Sequence, residues 1–459
     1  GLNNTGSGNA AFGSFALFNN QVDNNSAFGT EALTSNTSGS DNNAFGYQAL
    51  YSNSTGSVNN AFGSQALASN STGTANNAFG FSALNANSTG GSNNAFGYSA
   101  LLSNTTGSSN NAFGYKALAS NTTGSGNNAF GEGALSSNST GSGNVAVGPG
   151  TLGNNSTGSS NCGVGEKTLA SNSTGNSNAA FGVGALASNS TGNQNAAFGT
   201  GALGNNQVDN NSAFGTEALA GNTTGSSNNA FGYAALTLNS TGSANNAFGS
   251  KALSSNSTGS GNAAFGDGTM GGNTTGGRNA AFGNAALGSN SSGGANTAFG
   301  FRTLGSNSTG SSNAAFGASA LSSNTSGSFL GAFGTSALAS NSTGTGNNAF
   351  GYASLTPNTS GSNNTAMGYR ALGSNTTGSF NTAHGYDALF NNATGSCHVA
   401  VGYLSGPTTN NLQNTIAIGC NVLVPASNNT IIGNAAMVSI GWSHLTKDGI
   451  AFRPLADKL

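Results

Sequence analysis

Apolar residues recur along this chain at fixed positions of a 17-residue unit, and small polar residues fill most of the positions between them. One copy runs from Asn42 to Val58, and the next copy opens with the same Asn-Asn-Ala-Phe-Gly sequence. The phenylalanine moves from Phe45 to Phe62, and the same step of 17 continues along most of the chain. A leucine follows almost every one of these phenylalanines five residues later. A short fixed period of this kind is typical of a solenoid.

The repeat unit predicts strands rather than helices. It is too short for a pair of helices, and the glycine after each phenylalanine and the Asn-Ser-Thr-Gly segment would break one. A unit of this length does fit one coil of two or three short strands joined by turns. We therefore predict an all-β protein, a β-solenoid or β-roll with one coil per repeat. Stacking at about 4.7–4.9 Å per coil would give a rod of roughly 125 Å.

Three columns of residues that hardly vary predict the interior of the coil. The phenylalanine column, the leucine column and the column just before leucine, which is mostly alanine with threonine or serine in a minority, are all expected to be buried. The second and third residues after each phenylalanine vary freely and hold 11 of the 20 charged residues, so they predict a strip that faces water. The predicted core residues are Phe45, Phe62, Phe79, Phe96 and Phe113 together with Leu50, Leu67 and Leu84.

Two polar features of the unit predict how coils fit together. The glycine after phenylalanine predicts a bend or a close approach of strands. Stacked asparagine and threonine side chains predict hydrogen-bonded ladders between coils.

The small apolar content of each coil predicts self-association. Burying one phenylalanine and one leucine contributes about 3–6 kcal/mol, whereas ordering a unit of this length costs on the order of 25 kcal/mol. Sharing an apolar column among chains would close part of that gap, so we predict a parallel homotrimer with phenylalanine or leucine at its centre. A monomeric β-helix is the alternative. Unpaired strand edges at the rod ends would also favour head-to-tail filaments.

The chain divides into three segments by its composition and by the regularity of the repeat. Residues 1–395 hold the regular repeats, and residues 396–440 are predicted to be divergent capping coils. In the second segment aliphatic residues replace phenylalanine, and Pro407 and Pro425 appear. Residues 441–459 hold the only tryptophan and are interpreted as a tail or assembly segment.

Charge and hydropathy exclude several classes of partner. Charged residues make up 4% of the chain, and the net charge is −2. These values give no electrostatic reason to expect nucleic acid or an anionic membrane as a partner. No run of 18 apolar residues predicts a membrane helix, and no signal peptide is visible at Gly1.

No arrangement of residues predicts catalysis, so we expect a protein that is not an enzyme and binds no cofactor. A polysaccharide-degrading spike is disfavoured because the charged strip has no clustered carboxylates. His384 lies in the phenylalanine column, and it is the one candidate metal ligand, since a trimer would bring three imidazoles together. The alternative is a hydrogen-bonded core histidine. The three cysteines occupy different phases of the repeat and are expected to be small buried residues.

Two recurrent features suggest surface chemistry. Aromatic residues in the variable column could stack on sugar rings, or they could pack on one another along the rod. These candidate surface contacts are Tyr47, Tyr98, Tyr115, Tyr233 and Tyr352. The Asn-x-Ser/Thr sequons could carry glycans, but glycans cannot stack at a spacing of about 4.8 Å. The favoured interpretation is that these asparagines form turns, in which their side chains bond the local backbone. They are Asn53, Asn70, Asn87, Asn104 and Asn121.

The Asn-x-Ala-Phe-Gly segments, and more clearly residues 415–419 (Thr-Ile-Ala-Ile-Gly), resemble the head repeats of YadA-type trimeric autotransporter adhesins. The resemblance covers roughly residues 9–440 and implies a left-handed trimeric β-roll. Residues 429–442 are similar to the segment that precedes the self-cleaving chaperone of phage tail spikes and surface fibres.

These resemblances imply an extracellular structural or adhesive fibre on a cell or virion surface. Its partners would be further copies of itself and a glycan or protein receptor. A phage or viral tail fibre that binds a receptor is the alternative. An ice- or surface-binding solenoid with a threonine face ranks lower.

Overall fold

The computed structural model describes residues 6–434. The predicted tail at 441–459 lies outside these residues, as do the last six residues of the predicted capping segment. Within the described range no helix is long and apolar enough to cross a membrane.

The described chain is a β-solenoid, which confirms the predicted fold class. Each coil contributes one three-residue strand, and 26 such strands form a single parallel sheet. Equivalent residues of successive coils pair directly, so that Phe45 pairs with Phe62. Ala196 pairs with Ser212, and Ile416 pairs with Thr430. The coils between these two pairs of strands are therefore shorter than the regular repeat.

The strands are β1 Ala10–Phe12, β2 Ser26–Phe28, β3 Asn43–Phe45, β4 Asn60–Phe62, β5 Asn77–Phe79, β6 Asn94–Phe96, β7 Asn111–Phe113, β8 Asn128–Phe130, β9 Val145–Val147, β10 Cys162–Val164, β11 Ala179–Phe181, β12 Ala196–Phe198, β13 Ser212–Phe214, β14 Asn229–Phe231, β15 Asn246–Phe248, β16 Ala263–Phe265, β17 Ala280–Phe282, β18 Thr297–Phe299, β19 Ala314–Phe316, β20 Gly331–Phe333, β21 Asn348–Phe350, β22 Thr365–Met367, β23 Thr382–His384, β24 Val399–Val401, β25 Gly406–Pro407, β26 Ile416–Ile418, β27 Leu423–Val424 and β28 Thr430–Ile432. The coils therefore continue through the aliphatic segment, where β25 and β27 form a second sheet of two strands.

The interior of a coil contains alanine and leucine but not phenylalanine. Ala44, Ala49 and Leu50 are all 0% exposed, and their equivalents are buried in almost every other coil. Neighbouring side chains of a strand point to opposite faces. Because Ala44 is the inward residue of β3, Phe45 points outward.

The prediction that the phenylalanine column is interior is therefore wrong, whereas the leucine column and the column just before it, represented by Ala49, lie inside as predicted. The leucines that are fully buried include Leu50, Leu67 and Leu84. The phenylalanines that lie half-buried or exposed on the outer surface include Phe45, Phe62, Phe79, Phe96 and Phe113.

Two columns of asparagine fill the rest of the interior, and we call them the asparagine ladders. The side-chain amide of Asn53 donates to Oδ1 of Asn36 at 2.8 Å and to the carbonyl of Gly56 at 2.9 Å. In the second ladder, the amide of Asn59 donates to Oδ1 of Asn42 at 3.1 Å. All of these asparagines are 0% exposed. Their hydrogen bonds remove the cost of burying amides and tie each coil to the next, as the sequence predicted.

The glycine after each phenylalanine allows the coils to approach closely. Gly131 has φ of 140°, and a Cβ atom there would lie 2.7 Å from the carbonyl carbon of Gly148 in the next coil. Two residues later the backbone is left-handed, with φ of 55° at Gln48 and 63° at Gly133. The sequence predicted the close approach but not this left-handed position.

Candidate interaction surfaces

The outward phenylalanines form two runs of stacked rings, which together we call the phenylalanine ladder. It has seven rings from Phe28 to Phe130 and eleven rings from Phe181 to Phe350. Neighbouring ring centroids are 4.4–5.1 Å apart, and the ring planes differ by 3–9°. Each ring covers the face of the next, so the ladder presents ring edges outward.

The ladder remains accessible along the rod. Phe130 is 42% exposed and Phe350 is 39% exposed, and the other stacked rings are at least partly exposed. Val147 and Val164 separate its two runs. Contiguous apolar surface on this scale is unusual for a monomeric soluble protein and is typical of an interaction site.

His384 extends the same column and is exposed, so the alternative of a core histidine is wrong. No group of three or more histidine, cysteine, aspartate or glutamate residues within 6–434 could hold a metal ion. A metal at His384 would therefore require imidazoles from several chains.

The second residue after each phenylalanine of the ladder is often a tyrosine or another phenylalanine, and we call this position the tyrosine column. Its aromatic residues are exposed in two different arrangements. Tyr98 stacks between Phe81 at 5.2 Å and Tyr115 at 5.5 Å. Tyr352 stacks on Tyr369 at 5.4 Å. This is packing along the rod, and it covers the ring faces that a sugar would need.

Tyr47 and Tyr233 are 49% and 54% exposed, and no aromatic ring of the described residues stacks on either. Each has a serine at the same position of the next coil, Ser64 and Ser250. These two tyrosines therefore offer a free ring face for a sugar, which the stacked tyrosines offer only at the ends of their stacks.

The sequon asparagines belong to an asparagine ladder. Asn53, Asn70, Asn87, Asn104 and Asn121 are all 0% exposed. The amide of Asn87, for example, donates to Oδ1 of Asn70 at 2.8 Å and to the carbonyl of Gly90 at 2.9 Å. An amide nitrogen that is buried and fully hydrogen-bonded cannot carry a glycan in the folded rod. The prediction that these asparagines hold the turns of the coil rather than glycans is therefore confirmed.

His398 is a titratable residue that the sequence pattern did not single out, although its spacing of 17 residues from Asn381 places it in an asparagine ladder. It takes the place of an asparagine one coil after Asn381, and it is 0% exposed. Its Nδ1 accepts the backbone N–H of Thr415 at 3.2 Å and lies 2.7 Å from Oγ1 of the same residue. Nδ1 thus replaces the asparagine oxygen, which requires the tautomer with the proton on Nε2. Burial lowers the pKa of His398, and a smaller opposing effect comes from the carbonyl of Leu412.

The cysteines differ from the expectation of burial. Cys397 and Cys420 are exposed, and only Cys162 is partly buried. Burial raises the pKa of the Cys162 thiol, which disfavours its reactive thiolate form. Comparison of the chain with protein-family models and with curated protein sequences finds no match.

Proposed function

We propose that this protein is the shaft of an extracellular structural or adhesive fibre, with a mechanical rather than a catalytic role. The observation that carries the proposal is the unbroken sheet of 26 parallel strands. Every described coil is tied to the next through the strand ladder, and from Asn20 to Asn392 buried asparagine side chains add a second connection. Such coupling along one axis makes a rod stiff, and it spreads stability over nearest-neighbour contacts.

We further propose that copies of the chain associate side by side along the phenylalanine ladder, with a homotrimer as the favoured state. The leucines are buried within their own coils, so the phenylalanines are the long apolar column that remains for an interface. Six of the 18 stacked rings are 36–42% exposed and the others less, so at ~200 Å² per side chain the ladder offers at most about 1,400 Å². A standard interface needs about 800 Å² per partner. A second copy also has the same coil spacing as the ladder it would contact.

The proposed location is a cell or virion surface, with the tyrosine column as the contact for a glycan or protein receptor. The sparse charge along the rod suits a shaft whose contacts are made through its aromatic columns rather than through electrostatic attraction. Tyr47 and Tyr233 are the preferred positions for a stacked sugar ring because their faces are free.

Sedimentation velocity of the full chain tests the proposed association. We expect a species near three times the chain mass of 44.3 kDa, with the frictional ratio of an elongated particle. The triple variant Phe79→Ser, Phe96→Ser, Phe113→Ser should shift it toward the monomer.

A matched control changes exposed aromatic residues outside the ladder. Tyr98→Ser with Tyr115→Ser should leave the sedimentation coefficient unchanged. A wild-type chain that sediments only as an elongated monomer, or a triple variant that assembles like wild type, contradicts lateral association along the ladder.

A further inference from the structure

A third outward column consists of the residues that occupy the same position of the repeat as Ser57. Hydrogen bonds join most successive members of this column along the rod. We call it the serine column. The backbone N–H of Ser108 donates to Oγ of Ser125 at 3.0 Å, and the N–H of Ser125 donates to Oγ of Ser142 at 3.1 Å. The same bond joins Ser243 to Ser260 at 3.0 Å. A serine in one coil thus supplies the acceptor for a backbone amide in the coil before it.

Two consecutive glycines interrupt this column. Gly277 and Gly294 occupy the phase of the serines and have no hydroxyl to offer. The backbone N–H groups of Ser260 and Gly277 have no acceptor among the described residues, and the same is true of Ser57 and Ser328, which precede a threonine in this column. Only at Gly277 and Gly294 do two members of the column in a row lack a side-chain acceptor. The pattern resumes at Gly294, whose N–H donates to Oγ of Ser311 at 3.1 Å.

At Gly277 and Gly294, where the column has no serine side chain, the surface forms a shallow depression. The positively charged side chain of Arg278 lies at its edge. The residues that line the depression are Thr258, Ser260, Gly277, Arg278, Gly294, Ala295, Ser311 and Ser312. Arg278 is exposed and, within residues 6–434, is the only basic residue in the serine column or in the column that follows it. No carboxylate lines the depression. Ser260 and Gly277, whose amides lack an acceptor, therefore line the same depression as Arg278.

We propose that this depression binds an oxyanion, such as sulfate or the sulfate group of a glycan. The two N–H groups would donate to its oxygens, and the Arg278 guanidinium would add a charge-assisted pair of hydrogen bonds. Serine hydroxyls at the rim supply further donors. The site lies outside the phenylalanine ladder and does not depend on the proposed fibre function.

The chain contains a natural comparison at Gly91, the other glycine of the serine column that removes an acceptor. The N–H of Thr74 has no acceptor there, but the residue after Gly91 is Ser92 rather than arginine. The proposal requires the cation, so this second interruption should not bind. We therefore expect one oxyanion per chain rather than two.

Equilibrium dialysis of the full chain against radiolabelled sulfate at low ionic strength tests the site. We expect saturable binding of one sulfate per chain. Arg278→Gln should weaken it by about tenfold or more, because the charged donor is lost. Gly294→Ser should weaken it comparably, because the new hydroxyl would occupy the N–H of Gly277.

The control Arg302→Gln removes an exposed arginine that lies over the Phe301 ring at 5.2 Å and should leave binding unchanged. Circular dichroism checks that each variant keeps the wild-type fold. A sulfated disaccharide that displaces the label assigns the site to a glycan sulfate, whereas binding of inorganic sulfate alone assigns it to the free ion. Absence of saturable binding, or binding that Arg278→Gln and Gly294→Ser leave unchanged, overturns the proposal.

Discussion

The side-chain amide of Asn87 donates to Oδ1 of Asn70 in the preceding coil at 2.8 Å, and both side chains are completely buried. Oδ1 of Asn87 in turn accepts from the amide of Asn104 at 2.8 Å. A single asparagine thus satisfies polar groups in two neighbouring coils. Its removal leaves buried donors and acceptors unpaired, which costs more than the hydrogen bonds themselves.

We therefore predict that Asn87→Ala lowers the free energy of unfolding by about 2–5 kcal/mol. Asn94→Ala is the matched control, because Asn94 lies on the outer face of β6 and donates to Oδ1 of Asn111 at 2.7 Å. Water can replace that bond, so a loss of roughly 0.5–1.5 kcal/mol is expected. Urea unfolding followed by circular dichroism measures both, and equal losses would contradict buried ladders.

Gly131 and Gly133 lie in one coil and are needed for different reasons. Gly131 allows close packing of coils, whereas Gly133 allows a left-handed backbone. A Cβ at Gly131 would lie 2.7 Å from Gly148 of the next coil, whereas a Cβ at Gly133 meets nothing within 4 Å. Gly131→Ala should therefore displace the neighbouring coil and prevent cooperative folding of that region. Gly133→Ala should cost only about 1–2 kcal/mol for the left-handed conformation.

Hydrogen exchange across residues 114–165 measures the effect of each glycine variant. Strong loss of protection is expected for Gly131→Ala only. Similar protection in both variants would show that the coils do not approach as closely as described.

Acid should destabilise the end of the rod that contains His398. Burial lowers its pKa below the ordinary value of 6.5, so the unfolded chain takes up a proton before the folded chain does. The stability contribution of His398 is complete above about pH 6.5, and it declines as the pH falls toward the lowered pKa of the folded state. One such group changes stability by at most about 1.4 kcal/mol per pH unit.

His398→Asn restores the residue type of the ladder and should remove this part of the pH dependence. His384→Asn is the control, since His384 is exposed. Hydrogen exchange of residues 382–433 at about pH 7.5 and pH 5 measures the difference. An acid response that both variants retain would exclude His398 as its source.

The repeat itself predicts the stacking of the coils, their spacing, the close approach at glycine and the polar ladders. These features follow from one period, because residues in the same phase must contact one another in any solenoid. The sequence pattern also places the leucines inside correctly.

The pattern could not decide which of two adjacent invariant columns faces inward. Ala44 and Phe45 are neighbours, and a strand sends them to opposite faces. The larger residue was assigned to the interior, but the space inside the coil is already filled by leucine and asparagine. The available signals were His384, a polar ring in the phenylalanine column, and the alanine column itself, which holds only alanine or Gly163 from Ala11 to Ala417.

The candidate surfaces were harder to predict because each depends on side-chain direction or on an interruption of a ladder. The sequence identified Tyr47 and Tyr98 alike, although only Tyr47 has a free ring face. It gave no indication of the depression beside Arg278, because an unpaired backbone amide becomes evident only once the serine column is known to supply acceptors.

X-ray diffraction from an oriented film of the purified chain tests the central claim, that each repeat is one coil of a parallel β rod. Strands stacked along the rod should give a meridional reflection at about 4.7–4.9 Å. An oriented film without that reflection, or with the α-helical repeat of about 5.4 Å instead, would contradict it.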